Sequence, residues 1–66
     1  TRLQVLSPRE QDVIAEVGRG CSNAEIGTVL FMSEATVKAH VSSVLLKLGL
    51  SNRVQVAILA HDAGLT

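Results

Sequence analysis

The segment between Ser33 and Gly49 carries residues whose types and spacing suit contact with DNA. Apolar residues recur there every three or four positions, at Val37, Val41, Val44 and Leu48. The opposite helical face carries small and polar residues around one cation, namely Ala35, Lys38, Ala39 and Ser42. In a DNA major groove, a lysine can bond a guanine edge and an alanine methyl can meet a thymine methyl. The pattern predicts base contacts by Lys38, Ala39 and Ser42, and the plainer interpretation is a solvated helix face.

No other group of residues has a spacing typical of catalysis or metal binding. His40 and His61 lie far apart and the chain has one cysteine, so no metal-ligand pattern exists. Gly18-Arg19-Gly20 lacks the third glycine of a dinucleotide-binding loop, and no serine stands in a nucleophile-elbow pattern. Cys21 is best interpreted as a small apolar loop residue; the alternative is a thiol whose pKa is lowered by the following helix. We expect neither an enzyme nor a cofactor.

Composition predicts one small all-α domain. The 66 residues are 47% hydrophobic with a single aromatic residue, Phe31, which favours an aliphatic helical core. The lone cysteine excludes an internal disulfide and fits the reducing cytoplasm. No apolar run approaches the roughly 18 to 20 residues of a membrane span, so no membrane contact is expected. Because the sequence begins at Thr1 and not at methionine, we expect residues 1–66 to form one domain of a longer protein.

The charges balance overall but are unevenly distributed. Six basic and six acidic residues give a net charge of zero, which counts against a nucleic-acid partner because a basic footprint is usual. Residues 35–66, however, carry Lys38, Lys47 and Arg53 against Asp62 alone. The predicted DNA-facing helix thus has no acid after Glu34, although a solvated surface shows such a split by chance as well.

Capping residues and glycines predict four helices, at about 8–18, 23–30, 34–48 and 52–63. Ser7-Pro8-Arg9-Glu10 and Ser22-Asn23-Ala24-Glu25 are capping boxes, and Ser33 and Ser51 are predicted to cap the third and fourth helices. The helices end at the glycines Gly18 or Gly20, Gly49 and Gly64. The second and third helices, joined by a turn of two or three residues, form a helix-turn-helix.

Gly27 stands inside the second predicted helix, where glycine costs about 1 kcal/mol relative to alanine. A close crossing with the third helix would explain it, because the first turn of that helix must pass near the backbone there. The alternative is a tolerated surface glycine.

The fourth predicted helix is apolar nearly all round. One stripe, of Val56, Ala57, Ala60 and Ala63, can pack on the domain. A second, opposite stripe consists of Val54, Ile58 and His61. A small domain has no second core to bury that stripe, which predicts a two-fold homodimer interface. Alternatively, the stripe stays partly exposed or covers a regulatory domain.

Several sequence blocks, in order, resemble the LuxR-type DNA-binding domain that forms the effector half of NarL/FixJ-type response regulators. The matching residues are Leu6–Glu10, Gly20–Ile26, Ser33–His40, Lys47–Leu50, Arg53 and Gly64–Leu65. The resemblance implies a four-helix domain whose third helix enters the major groove and whose fourth helix makes a dimer. Base-reading positions of the family fall on Lys38, Ala39 and Ser42, and a phosphate-contacting position falls on Thr36.

Further roles follow from this resemblance and from the position of each residue. Asn23 and Lys47 are expected to contact the DNA backbone, and His40 is expected to be half-buried and to bond to backbone or phosphate. The partners implied are double-stranded DNA, a second copy of the chain, a regulatory domain of the same parent chain, and RNA polymerase. A response regulator of a two-component system is the favoured parent, and a ligand-sensor parent is the alternative.

Two other functions fit parts of the pattern. A promoter-reading domain of a sigma factor uses a similar helix-turn-helix, but the extra helix after Gly49 and its outward apolar stripe argue against it. A protein-interaction module could retain the scaffold without DNA binding, which the zero net charge allows. Salt-dependent DNA binding would distinguish a DNA-binding domain from such a module.

Overall fold

The computed structural model describes the backbone of residues 2–65 and the side chains of residues 4–65. A short 3-10 helix, Arg2–Val5, precedes four α-helices. These are α1 (Pro8–Gly18), α2 (Asn23–Leu30), α3 (Glu34–Leu48) and α4 (Arg53–Asp62). Residues 2–65 contain no strand, so the predicted all-α class is confirmed.

Local capping explains where the first three helices begin and end, and their predicted bounds are confirmed. Ser7 and Ser22 both form complete capping boxes, with Glu10 and Glu25 respectively. Ser33 Oγ accepts the backbone N–H of Thr36 at 3.1 Å. Gly20 and Gly49 adopt positive φ after α1 and α3, a conformation that side-chain-bearing residues rarely take.

The predicted cap of α4 was wrong by one residue. Asn52, and not Ser51, caps this helix, because its Oδ1 accepts the backbone N–H of Gln55 at 3.1 Å. Ser51 lies one residue outside the helix, where its own N–H donates to Gln55 Oε1 at 2.6 Å. The helix is therefore one residue shorter at each end than the predicted 52–63.

The core is aliphatic and draws on all four helices. α4 packs mainly on α1, and α2 packs mainly on α3. The buried hydrophobic residues are Leu6, Val13, Ile14, Val17, Ile26, Val37, Val41, Val44, Leu48, Val56 and Ala60. Ala63, predicted to face inward, is exposed because α4 ends before it, and the half-buried Leu59 packs against the core instead.

Gly27 lies at a close crossing of α2 and the chain that leads into α3. A Cβ on Gly27 would lie 2.5 Å from the backbone carbonyl oxygen of Met32 and 3.7 Å from the backbone nitrogen of Glu34. Gly27 is buried, so the close-crossing interpretation is confirmed and the surface-glycine alternative is wrong. Any side chain here would push the two helices of the helix-turn-helix apart.

Glu10 is a charged residue buried against this core. Its Oε1 accepts the Ser7 N–H at 2.8 Å and the Lys47 ammonium at 2.7 Å, and its Oε2 accepts the Ser43 hydroxyl at 2.8 Å. The hydrogen bond from Lys47 is the largest cause that lowers the pKa of this carboxyl to about 2, opposed by burial. Glu10 thus joins the start of α1 to the second half of α3.

We predict that Gly27→Ala lowers the free energy of unfolding by about 2 to 3 kcal/mol, because the added methyl meets backbone that cannot move aside cheaply. Urea denaturation followed by circular dichroism measures the change. Thr28→Ala, on the exposed side of the same helix, is the control and should shift stability by less than about 0.5 kcal/mol. A Gly27→Ala domain as stable as its parent would contradict the close crossing.

We predict that stability falls as the pH drops from about 4.5 to about 2, and that Glu10→Gln flattens this dependence. The sign follows from the lowered folded-state pKa, since the unfolded chain takes up the proton first. Each pKa unit corresponds to about 1.4 kcal/mol, and the exposed fraction of Lys47 reduces the total, so ionised Glu10 should contribute about 2 kcal/mol of stability at pH 7, which is lost on acidification to about pH 2. Urea titrations at several pH values measure it.

Asp12→Asn is the matched control for this experiment, because Asp12 is an exposed carboxylate two residues further along α1. It should leave the acid-dependent loss of stability in place. If Glu10→Gln kept the full pH dependence of the parent domain, the buried carboxylate would not be its source.

Candidate nucleic-acid interface

The outward face of α3 carries the three residues predicted to contact bases. Lys38, Ala39 and Ser42 are all exposed, whereas Val37 and Val44 on the opposite face have no exposed surface. The valines hold the helix against the core and leave the opposite face open along its length. The structure therefore brings the predicted base-reading residues together on one accessible surface.

Leu46 extends this surface and was missed by sequence reasoning. Its side chain is 85% exposed although the residue is large and apolar. It follows Ser42 by four positions and Ala39 by seven, so it lies on the same helical face. This spacing in the sequence could have predicted that Leu46 belongs to the same face. The outward face of α3 consists of Ala35, Lys38, Ala39, Ser42 and Leu46, and we call it the α3 outer face.

Lys38 differs from the other cations whose side chains the structure describes. Arg9 donates to the Leu30 carbonyl, Arg19 and Lys47 pair with glutamates, and Arg53 donates to Asn23 and to the Cys21 carbonyl. Lys38 alone among them has neither an ion pair nor a hydrogen bond within the domain. Its ammonium group is thus available to an outside acceptor, such as a base edge or a phosphate.

The expected backbone-contacting residues on α3 lie along one flank of the helix. Thr36 is exposed at the first turn, and its Oγ1 is 2.8 Å from Ser33 Oγ. His40 is half-buried, as expected. Lys47 is exposed on the same flank, but its ammonium is already bound to Glu10.

Asn23 lies at the first position of α2 and is half-buried. Its Oδ1 accepts a hydrogen bond from the Arg53 guanidinium, which also donates to the Cys21 carbonyl at 2.6 Å. Arg53 therefore ties the start of α4 to the start of α2. The Asn23 carbonyl oxygen is committed to this link, while the amide nitrogen is the group that an acceptor could approach.

The turn between α2 and α3 sets the geometry of the helix-turn-helix. The two helix axes meet at 106°, within the range of roughly 90–120° typical of the motif. Phe31 ends α2 with φ 58° and ψ 47°, a left-handed conformation that is strained for a bulky residue. Its ring is 93% exposed, so packing does not compensate for the strain.

The second stripe of α4 is only partly free. Val54 and Ile58 are 67% and 55% exposed, which fits an uncovered apolar face. His61 is also exposed, but its Nε2 lies 2.8 Å from the carbonyl oxygen of Gly18 at the end of α1. His61 thus links α4 to α1 and also lies beside this apolar face.

Other site chemistry is sparse among residues 4–65. They contain no group of three or more His, Cys, Asp or Glu side chains that could hold a metal ion. Burial, followed by the nearby Glu16 and Glu25 carboxylates, raises the pKa of the Cys21 thiol, so the alternative of a lowered pKa was wrong.

No single helix in the described part is long and apolar enough to cross a membrane; α2 and α3 together have the length and composition of a bent span.

Comparison of the sequence with known proteins identifies one family. The sequence pattern of bacterial regulatory proteins of the luxR family matches residues 4–60. The chain is 51% identical over 55 residues to the transcriptional regulatory protein YhcZ of Bacillus subtilis. The matched residues cover 83% of the chain and 26% of YhcZ.

Two further relatives show similar agreement. Over 55 residues, the chain is 47% identical to the nitrate/nitrite response regulator protein NarP of Escherichia coli, covering 83% of the chain and 26% of NarP. Over 61 residues, it is 46% identical to the transcriptional activator protein SolR of Ralstonia solanacearum, covering 92% of the chain and 26% of SolR. The chain spans about a quarter of the length of these relatives. With its four helices and its helix-turn-helix, the chain belongs to the luxR family of bacterial regulatory proteins, whose members regulate transcription by binding DNA.

Proposed function

We propose that this domain binds an inverted-repeat site in double-stranded DNA as a dimer, with α3 in the major groove of each half-site. The observation that carries the proposal is the α3 outer face: it is open, lacks acidic side chains after Glu34, and presents the one uncommitted lysine of the described domain. The rigid valine packing beneath it supports direct readout, because a fixed helix presents its side chains in one geometry.

Lys38, Ala39 and Ser42 are the proposed base-contacting residues. Lys38 would donate to the O6 and N7 acceptors of a guanine, and the Ala39 methyl would pack on a thymine methyl. Ser42 would donate or accept, depending on the base it meets. Because two of the three side chains are small, the backbone of α3 can approach the base edges closely.

The DNA backbone contacts are assigned to Asn23, Thr36, His40 and Lys47. Such contacts position the domain without reading sequence and supply much of the affinity. The exposed Thr36 and the partly exposed side chain of Lys47 are the best placed of these residues. Asn23 would contribute its amide nitrogen, and His40 the part of its ring that remains exposed.

Dimer formation is assigned to Val54, Ile58 and His61 on α4. The exposed apolar surface of Val54 and Ile58 supports a self-complementary contact across a two-fold axis. Two copies related by that axis would place their α3 helices in successive major grooves, about one helical turn or roughly 34–36 Å apart.

The whole protein is proposed to be a longer regulator in which residues 1–66 form the C-terminal effector domain. The similarity to the nitrate/nitrite response regulator NarP supports a response-regulator parent, whose receiver domain would control access to α3 and α4. Such a regulator would act in the cytoplasm, with RNA polymerase as a further partner. The proposed function is binding without catalysis, which membership of a family of transcription regulators supports.

The proposal is tested by selecting the purified domain against a random DNA duplex library at low salt. The selected duplex and a scrambled duplex are then titrated at two salt concentrations. Enrichment of an inverted repeat, with discrimination that persists at the higher salt, supports the proposal. If no duplex is enriched and no salt-dependent binding occurs, the chain is better explained as a protein-interaction module.

In this assay, we predict that Lys38→Ala weakens binding to the selected duplex by about 1 to 3 kcal/mol and flattens the preference at one or two base pairs. The physical reason is the loss of a charged donor at a base edge. Arg19→Ala, an exposed cation at the end of α1, is the control and should leave the base preference unchanged. An unaltered base profile in the Lys38→Ala domain would refute the assigned role.

We predict that Ile58→Asp impairs dimer formation on the selected duplex while the domain stays helical, because two carboxylates would face each other across the two-fold axis. Analytical ultracentrifugation of the complex and circular dichroism measure the two effects. Val29→Asp is the matched control, because Val29 is an equally exposed apolar residue on α2, at 53% against 55% for Ile58. Normal dimerisation of Ile58→Asp would show that α4 is not the interface.

A further inference from the structure

The ion pair between Glu10 and Lys47 includes a residue of α3, the proposed DNA-binding helix. The ammonium of Lys47 lies 2.7 Å from Glu10 Oε1, and the Ser43 hydroxyl holds the other carboxylate oxygen at 2.8 Å. Glu10 is buried, whereas the Lys47 side chain is 41% exposed. The carboxylate is therefore fixed inside the domain, and the cation that it holds reaches the surface.

Lys47 lies on a flank of α3 that is distinct from the α3 outer face. Thr36, His40, Ser43 and Lys47 recur at i, i+4, i+7 and i+11, which places them in one row along the helix. Ser43 and Lys47 in this row contact α1 through Glu10. When a helix lies in a major groove, its outer face meets the bases and its flanks run beside the sugar-phosphate walls.

We propose that Glu10 is a positioning residue for DNA binding, which holds the Lys47 ammonium on this flank at the place where a phosphate is received. The inference rests on the proposed function, because it concerns the same α3 helix in the same groove. It assigns to a buried acidic residue on α1 a role that neither its capping box nor its position in the core requires.

The chemistry of the pair supports this role. An ammonium group has three N–H donors, and Glu10 takes one of them, so others remain for a phosphate oxygen. A free lysine loses much rotamer freedom when it binds, whereas a lysine already held in place loses less. Because the Glu10 side chain is buried and the Lys47 side chain is partly exposed, an approaching phosphate would meet the lysine before the carboxylate.

The test is a double-mutant cycle on DNA binding, with Glu10→Gln, Lys47→Gln and the double variant titrated on the selected duplex over a range of salt. All variants are measured at a temperature at which circular dichroism shows them folded. Lys47→Gln should reduce the slope of log affinity against log salt by about 0.9, the value for one lost phosphate contact. Glu10→Gln should weaken binding about 3- to 10-fold with the slope unchanged, since the cation remains but is no longer oriented.

The two effects should not add. If Glu10 acts through Lys47, the double variant binds no more weakly than Lys47→Gln alone. Lys47→Arg, which keeps a cation within reach of Glu10, should restore the parental salt slope. Asp12→Asn removes an exposed negative charge from the same helix and should leave affinity within about 2-fold, which separates positioning from a general change in charge.

Distinct results would overturn the inference. Additive effects, an unchanged affinity of Glu10→Gln, tighter binding by Glu10→Gln, or an unchanged salt slope of Lys47→Gln would each contradict a positioning role. Should Glu10→Gln fail to fold, Ser43→Ala removes the hydroxyl that orients the carboxylate, and its loss of affinity should disappear in the Lys47→Gln background. Absence of DNA binding by the parent domain would instead refute the proposed function itself.

Discussion

The close passage of the chain past Gly27 is the constraint on which the rest of the structure depends. Because Gly27 has no Cβ, the Met32 carbonyl oxygen can lie 2.5 Å from the place that this atom would take, and the Met32 N–H donates to the Gly27 carbonyl at 2.8 Å. The chain then reverses within three residues and α3 leaves at 106° to α2. Phe31 adopts a strained left-handed conformation in this short turn, at a cost of about 1 to 2 kcal/mol. A wider crossing would tilt α3 and turn its outer face away from the position that α1 and α2 support.

Three independent contacts hold α3 once the crossing is set. The buried valines Val37, Val41 and Val44 fix the rotation of α3 about its own axis. The Ser33 cap fixes its first turn, and Glu10 fixes its second half through Ser43 and Lys47. Glu10 is also the third residue of the capping box of α1, so one carboxylate stabilises a helix start and anchors another helix. The opposite side of α3 carries no packing role, which leaves its residues available for contact with a ligand. A rigid helix with one unconstrained face is what readout of base edges requires.

Local chemistry explains how much of this could be predicted from the sequence. The starts of α1, α2 and α3 follow from serine caps and the ends of α1 and α3 from glycines, all acting within four residues, and the outer face of α3 follows from helical periodicity. The start of α4 does not follow in this way, because Ser51 and Asn52 are both competent caps and the choice depends on where the Gln55 side chain lies. The Glu10–Lys47 pair joins residues on different helices, and the link from Arg53 to Asn23 does the same. No spacing rule connects such residues, so these contacts required the structure.

The net charge of zero looks unfavourable for a DNA-binding domain. Several of the acidic side chains, however, are already engaged within the domain. Glu10, Asp12 and Glu16 each lie beside a cation of the same domain, and Glu25 is engaged in the capping box of α2. Glu10, Asp12 and Glu16 therefore project little uncompensated field toward α3, because the opposite charges of a close ion pair largely cancel at a distance. The cations of these pairs, Arg9, Arg19 and Lys47, are all partly exposed, but each would have to share its charge between an acid of its own domain and a phosphate. A single domain thus has few strong contacts to offer DNA, and the proposed dimer through Val54 and Ile58 on α4 would double those contacts without making either copy more basic.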